Sequence, residues 1–125
     1  MSPVEPIRNL KHLRKLENYF ANKNMRDLLL FTLGINCGLR ISDIVALNVG
    51  DVKNKTHIQI TEKKTGKYKK FSINAKLKPM FKEFTKGKSS AEPLFTTIFH
   101  NRLDRFGAYY ILKTACNGFK RPYRW

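Results

Sequence analysis

Apolar residues recur at helical spacing early in the chain, where Leu10, Leu13, Leu16, Tyr19 and Phe20 predict an amphipathic helix from Arg8 to Ala21. A second helix is expected from Asn24, whose side chain can cap it, with Asp27 three residues on completing an approximate capping box. It continues through the largely apolar segment Leu28 to Leu33 and stops near Gly38, the expected left-handed terminator. A short third helix follows from about Ile41 to Leu47. The period then switches from helical to alternating. Ile58 and Ile60 share one face of a strand from His57 to Thr61, and Phe71 and Ile73 share one face of another from Tyr68 to Ile73. Lys63 to Lys67, with Gly66, reads as the hairpin turn between them. A further strand around Val49 to Lys53 would make the sheet three-stranded. Leu77, Met80, Phe81 and Phe84 then predict a helix with Pro79 in its first turn or at a kink. A loop from Lys86 to Pro93, a last helix from Arg102 to Cys116 and an unpatterned tail complete the chain. The expected class is α+β, mostly helical, with a small three-stranded antiparallel sheet as an edge feature.

At 125 residues there is room for one domain with a hydrophobic core, and 42% apolar content excludes a wholly disordered chain. Charge sharpens the picture. The chain carries 25 Lys and Arg against 9 Asp and Glu, a net +16. Residues 53–88 hold 12 of the lysines and only Glu62 and Glu83, so +10 of the excess lies there. Such a field calls for a polyanionic partner, nucleic acid ahead of anionic membrane, because the lysines cluster in strand and turn rather than beside the apolar stripe of a helix. No apolar run is long enough to span a bilayer, and the first residues lack the apolar core of a secretory signal. Cys37 and Cys116 have no metal-ligand spacing and are expected to be reduced, buried thiols of a cytoplasmic protein, with no metal and no cofactor.

Two residues stand out as chemistry. Arg40 immediately precedes the short third helix, where free amides and the positive dipole end already favour an anion, and its guanidinium can hold two phosphate oxygens at once. Asp43, one turn on, could fix that arginine's rotamer. Lys64, at the hairpin tip, can reach into a groove and, if desolvated, donate a proton to a leaving oxygen. Lys63, Lys67, Lys69 and Lys70 read as counterions for a DNA backbone.

The stretch GLRISDIVALNVGDV (38–52), followed by a basic hairpin containing KKTGK (63–67), resembles the catalytic domain of tyrosine recombinases, the phage integrase family, over about Asn24 to Ala115. That resemblance implies an arginine, Arg40, clamping the scissile phosphate of duplex DNA, with Asp43 supporting it. It implies Lys64 as the acid for the departing 5′ oxygen, or Lys63 if the register shifts by one. The family's H-x-x-R box, a further His or Trp and the nucleophilic tyrosine are expected later, over further helices. In His100-Asn101-Arg102 the arginine is two residues on rather than three. His12 and His57 read as surface residues, Tyr123 lacks the context of a nucleophile, and Tyr109 and Tyr110 are expected to pack within a helix. The resemblance therefore implies an incomplete catalytic domain without the usual N-terminal arm, which binds DNA rather than cutting it. Its uncovered apolar surface would favour self-association or contact with full-length recombinase protomers. Alternatives are a non-enzymatic basic module of helix-turn-helix type across Leu28 to Leu47, a type IB topoisomerase relative and, weakest, an RNA binder.

Overall fold

The computed structural model describes residues 5–6, 10–37, 39–61, 65–117 and 123–124. Helix α1 (Leu10–Lys23) turns its stripe, Leu16 and Phe20, onto α2 (Met25–Cys37). Phe20 stacks on Phe31 with ring centroids 5.1 Å apart, and Tyr19 meets Phe20 edge-on at 5.2 Å. Helix α2 buries Leu29, Leu30, Phe31 and Leu33 and contacts every other helix, as a helix apolar on most sides must. Its start follows the sequence: the Asp27 amide donates to Asn24 Oδ1 (2.8 Å), and Asn24 Nδ2 donates to Asp27 Oδ2 (3.3 Å). The Asp27 carboxylate is fully buried and is compensated by Lys23 (3.2 Å) and Arg26 (2.8 Å). Arg26 also donates to the Thr96 carbonyl at 3.0 Å, tying the α1–α2 corner to a distant loop. Gly38, the expected terminator, lies outside the described residues.

Helix α3 (Ile41–Val45) is shorter than expected, and no strand follows it. Residues Val49–Asp51 form a 3-10 turn instead, which leaves the sheet two-stranded rather than three-stranded. The cause is local. Asn48 and Asp51 cap each other reciprocally, with the Asn48 amide donating to Asp51 Oδ2 at 2.8 Å, and winding at this spacing buries Val49 and Val52. The donors a strand would offer a neighbour go to the loop at residues 89–93: Val49 N–H to Glu92 O (2.8 Å) and Gly50 N–H to Ser90 O (3.0 Å). A side chain at Gly50 would meet the Ser90 Cβ at 2.9 Å, so the close approach needs glycine.

The sheet that does form pairs β2 (His57–Thr61) with β3 (Tyr68–Ser72) antiparallel, Ile58 opposite Phe71 and Ile60 opposite Lys69. Gly66 in the connecting turn has φ +69°, as a tight hairpin requires. A separate two-residue parallel pairing joins β1 (Glu5–Pro6) to β4 (Tyr123–Arg124). Helix α4 (Leu77–Phe84) is capped by Asn74, whose side chain accepts from the Lys76 and Leu77 amides at 3.1 and 2.9 Å, and Pro79 sits in its first turn.

The last helix, α5 (Arg105–Asn117), begins three residues later than the apolar pattern suggests. Asp104 supplies the cap, accepting from the Gly107 amide at 2.7 Å, while Arg102 is spent elsewhere. Its guanidinium donates to Val45 O (2.9 Å), Leu47 O (3.0 Å) and the Asn48 side-chain oxygen, clamping the chain just after α3. Along α5, Ala108, Ile111, Leu112, Ala115 and Cys116 face the core. Tyr109 and Tyr110, expected to pack, fall on the opposite face and are 48% and 69% exposed, beside Phe106 at 70%. Ile98 and Phe99, in the loop before α5, are 82% and 77% exposed, so considerable apolar surface is uncovered. Both cysteines are free, with Cys116 buried and Cys37 half-buried.

Two outcomes follow from this packing. Arg102→Ala removes one donor group from three acceptors and should lower stability by about 2–3 kcal/mol in chemical denaturation; Arg102→Lys should recover only part, since an ammonium lacks the planar fork. Burial pushes the Cys116 thiol up to about 11 and raises Cys37 as well. Iodoacetamide at pH 8 should therefore label Cys37 first and reach Cys116 only on unfolding, as read by mass spectrometry. Because folding raises these values, their stabilisation is complete below the unfolded thiol value of 9.0 and should fade as pH climbs from there toward 11.

Candidate nucleic-acid interface

Arg40 has extended backbone (φ −68°, ψ 148°) at the N-cap of α3, and its carbonyl accepts from the amides of Asp43 and Ile44, both at 3.0 Å. Ile44 and Val45 are buried where α3 packs on α5, and Arg102 clamps the other end of the helix. The backbone beneath Arg40 is thus fixed at both sides, while its side chain is exposed. Among the described residues neither Arg40 nor Asp43 makes a side-chain hydrogen bond or ion pair, so the support expected from Asp43 is not formed in this structure. With only five residues in α3, the guanidinium rather than a helix dipole supplies most of the attraction for an anion.

Arg40, Ile41 and Ser42 form one wall of a groove of about 670 Å³, and Arg105, Phe106 and Tyr109 of α5 form the other. Arg105 is a second guanidinium in the same groove and lies 4.9 Å from the Phe106 ring centroid. Sequence reading missed it because a basic residue at the head of a helix gives no local cue, and only the α3–α5 contact brings it to Arg40. Two planar cations beside an aromatic wall can engage phosphate oxygens in pairs.

The hairpin divides its lysines. Lys63 and Lys64 lie outside the described residues. Lys67, Lys69 and Lys70 are exposed. Lys69, opposite Ile60, shares the face of Phe71 and Ile73, whereas Lys70, opposite Gln59, shares the other face with Tyr68. Adjacent lysines here cannot all line one surface.

Other sequence candidates have structural uses. Arg102 serves the α3 clamp, and His100 is exposed with φ +64°. His57 Nδ1 lies 3.0 Å from Thr56 Oγ1. The side chain of Tyr123 is outside the described residues. A helix-turn-helix fits poorly, since α3 spans under two turns, too short to lie along a major groove, and buries Ile44 and Val45. Among the described residues, no helix is long and apolar enough to cross a membrane, and no group of three or more His, Cys, Asp or Glu could hold a metal ion.

The chain matches known proteins over most of its length. The sequence profile of the phage integrase family matches residues 8–123. A probable integrase/recombinase of Bacillus subtilis, YoeC, is 44% identical over 116 residues, covering 92% of this chain and 64% of the relative. A tyrosine recombinase of Pseudothermotoga lettingae is 32% identical over 108 residues, covering 75% of this chain and 38% of the relative. The chain thus spans less than two thirds of the length of both. Among solved structures, XerA recombinase superposes with a TM-score of 0.75 at 13% identity over 98% of this chain and 46% of its own. A DNA-bound lambda integrase superposes with 0.70 at 15% identity, over 92% and 43%. The arginine-headed α3, the hairpin after it and the fold around them place this chain in the phage integrase family, with a tyrosine recombinase catalytic-domain fold.

Proposed function

We propose that this chain binds duplex DNA as the phosphate-engaging part of a site-specific recombinase that acts in DNA integration and recombination. The observation that carries the reading is Arg40, exposed and without a partner among the described residues, on a fixed backbone at the wall of a groove that also presents Arg105. In this reading Arg40 takes two oxygens of the scissile phosphate, and Asp43 orients it once the phosphate is bound. Lys64, or Lys63 if the hairpin register differs by one, reaches the departing 5′ oxygen. Lys67, Lys69 and Lys70 neutralise the flanking backbone. A lambda integrase of the same fold was solved bound to DNA, which supports duplex DNA as the partner.

The role proposed for the chain itself is binding rather than cleavage. Phosphodiester transfer of this kind needs an oxygen nucleophile that forms a covalent intermediate, with several cations around the phosphorus. No H-x-x-R box stands in these 125 residues to supply the rest of that set. The exposed Tyr110, with Ile98 and Phe99, is proposed to meet further recombinase protomers or a second copy of the chain.

Arg40→Ala tests the reading. With a duplex enriched by selection on the wild-type protein, the variant should lose about 2 kcal/mol, roughly thirtyfold, in fluorescence anisotropy. Affinity for random duplex should barely change. An equal loss on both duplexes would make Arg40 an ordinary counterion and remove the clamp.

A further inference from the structure

A second basic surface lies away from the Arg40 groove. The turn after the 3-10 segment and one face of α4 enclose a groove of about 370 Å³. Lys53 and Lys55 stand on one wall, with Lys78, Lys82 and Lys86 on the other, and no Asp or Glu lines it. Its floor includes Val52, Ile73 and Phe81, all buried. The Arg40 groove shares no lining residue with it and is built from α3 and α5, whereas α4 packs on α2.

An ordinary solvated lysine face would be convex and interleaved with carboxylates. Here Lys78, Lys82 and Lys86 follow one another at four-residue steps, so like charges are neighbours along one helix face and its continuation. The helix C-terminus accounts for Lys82. It does not account for Lys78, nor for Lys53 and Lys55 opposite. None of Lys55, Lys78, Lys82 and Lys86 makes an ion pair among the described residues. Lys53 is aimed by donating to the Lys88 carbonyl at 2.9 Å, and the Lys88 ammonium rests 3.8 Å from the centroid of the Phe84 ring. A cleft of one charge sign with an apolar floor concentrates its potential, and an anion bound there relieves the repulsion among these ammonium groups.

We infer that the Lys53, Lys55, Lys78, Lys82 and Lys86 groove is a second binding site for the phosphate backbone of duplex DNA, independent of Arg40. The inference takes its ligand class from the DNA-binding reading above and adds a contact surface that reading does not contain. The site recognises phosphates without base contacts, so it strengthens binding to any duplex equally.

The test compares two variants of the full chain with the same loss of charge: Lys78→Gln/Lys82→Gln in the groove, and Arg14→Gln/Lys15→Gln on the exposed side of α1. Binding to a random-sequence duplex is followed by anisotropy across a salt series, after circular dichroism confirms that each variant is folded. The expected result is a drop of about 1.8 in the slope of log affinity against log salt for the groove variant, with the α1 variant unchanged. Lys78→Arg/Lys82→Arg should retain the wild-type slope. Equal slopes for the wild type and the groove variant, or equal losses in the two Gln variants, would overturn the proposal. So would loss of sedimentation with phosphatidylserine-containing vesicles while the DNA slope stays intact, because the groove would then be a lipid site. Wild-type protein that binds no DNA would remove both this inference and the function proposed above; intact slopes in the groove variant would remove the groove alone.

Discussion

One guanidinium holds together the part of the fold on which the Arg40 groove depends. Helix α3 ends after five residues, and the carbonyls of Val45 and Leu47 and the side chain of Asn48 stand at or just beyond its end. Arg102 reaches back more than fifty residues to Val45, Leu47 and Asn48 and satisfies them with one rigid fork. The Leu94 amide adds a bond to Leu47 O at 3.0 Å. With that segment held, Asn48 and Asp51 can cap the turn that docks on the loop at residues 89–93, and α3 stays pressed on α5. The separation of Arg40 from Arg105 is thus set by an arginine that touches neither.

Features encoded by local periodicity were legible in the sequence. The two long helices, the Asn24 cap and the alternating faces of the hairpin strands follow from spacing at three to four residues or at two. The segment Val49 to Lys53 was misread because two valines three residues apart suit a strand end as well as a 3-10 turn. The arbiter was the Asn48–Asp51 pair, a side-chain cap at a spacing that strands do not use. Tyr109 and Tyr110 were misplaced for a different reason. On a helix with apolar residues on both sides, composition does not say which side meets the core, and the smaller residues Ala108 and Ala115 took it. Arg102 and Arg105 carried no local signal at all, since their roles arise from contacts between distant segments.

The buried helix α2 gives the charge distribution its shape. Because it is apolar on most sides, α1, α3, α4 and α5 all pack against it, and the basic residues are left on separate outer surfaces. The +10 concentrated in residues 53–88 is therefore divided between the hairpin and the α4 groove rather than pooled at one point.

That Arg40 has no side-chain hydrogen bond or ion pair among the described residues bears on how it would hold an anion. Among the described residues there is no carboxylate for a ligand to expel from it. Ordering a free arginine side chain costs about 2 kcal/mol of rotamer entropy, close to the return from one charge-assisted hydrogen bond. A contact through a single oxygen roughly breaks even, so an anion gains from Arg40 chiefly when two of its oxygens are engaged together. In the function proposed above, Arg40 then weighs the geometry of an anion as well as its charge.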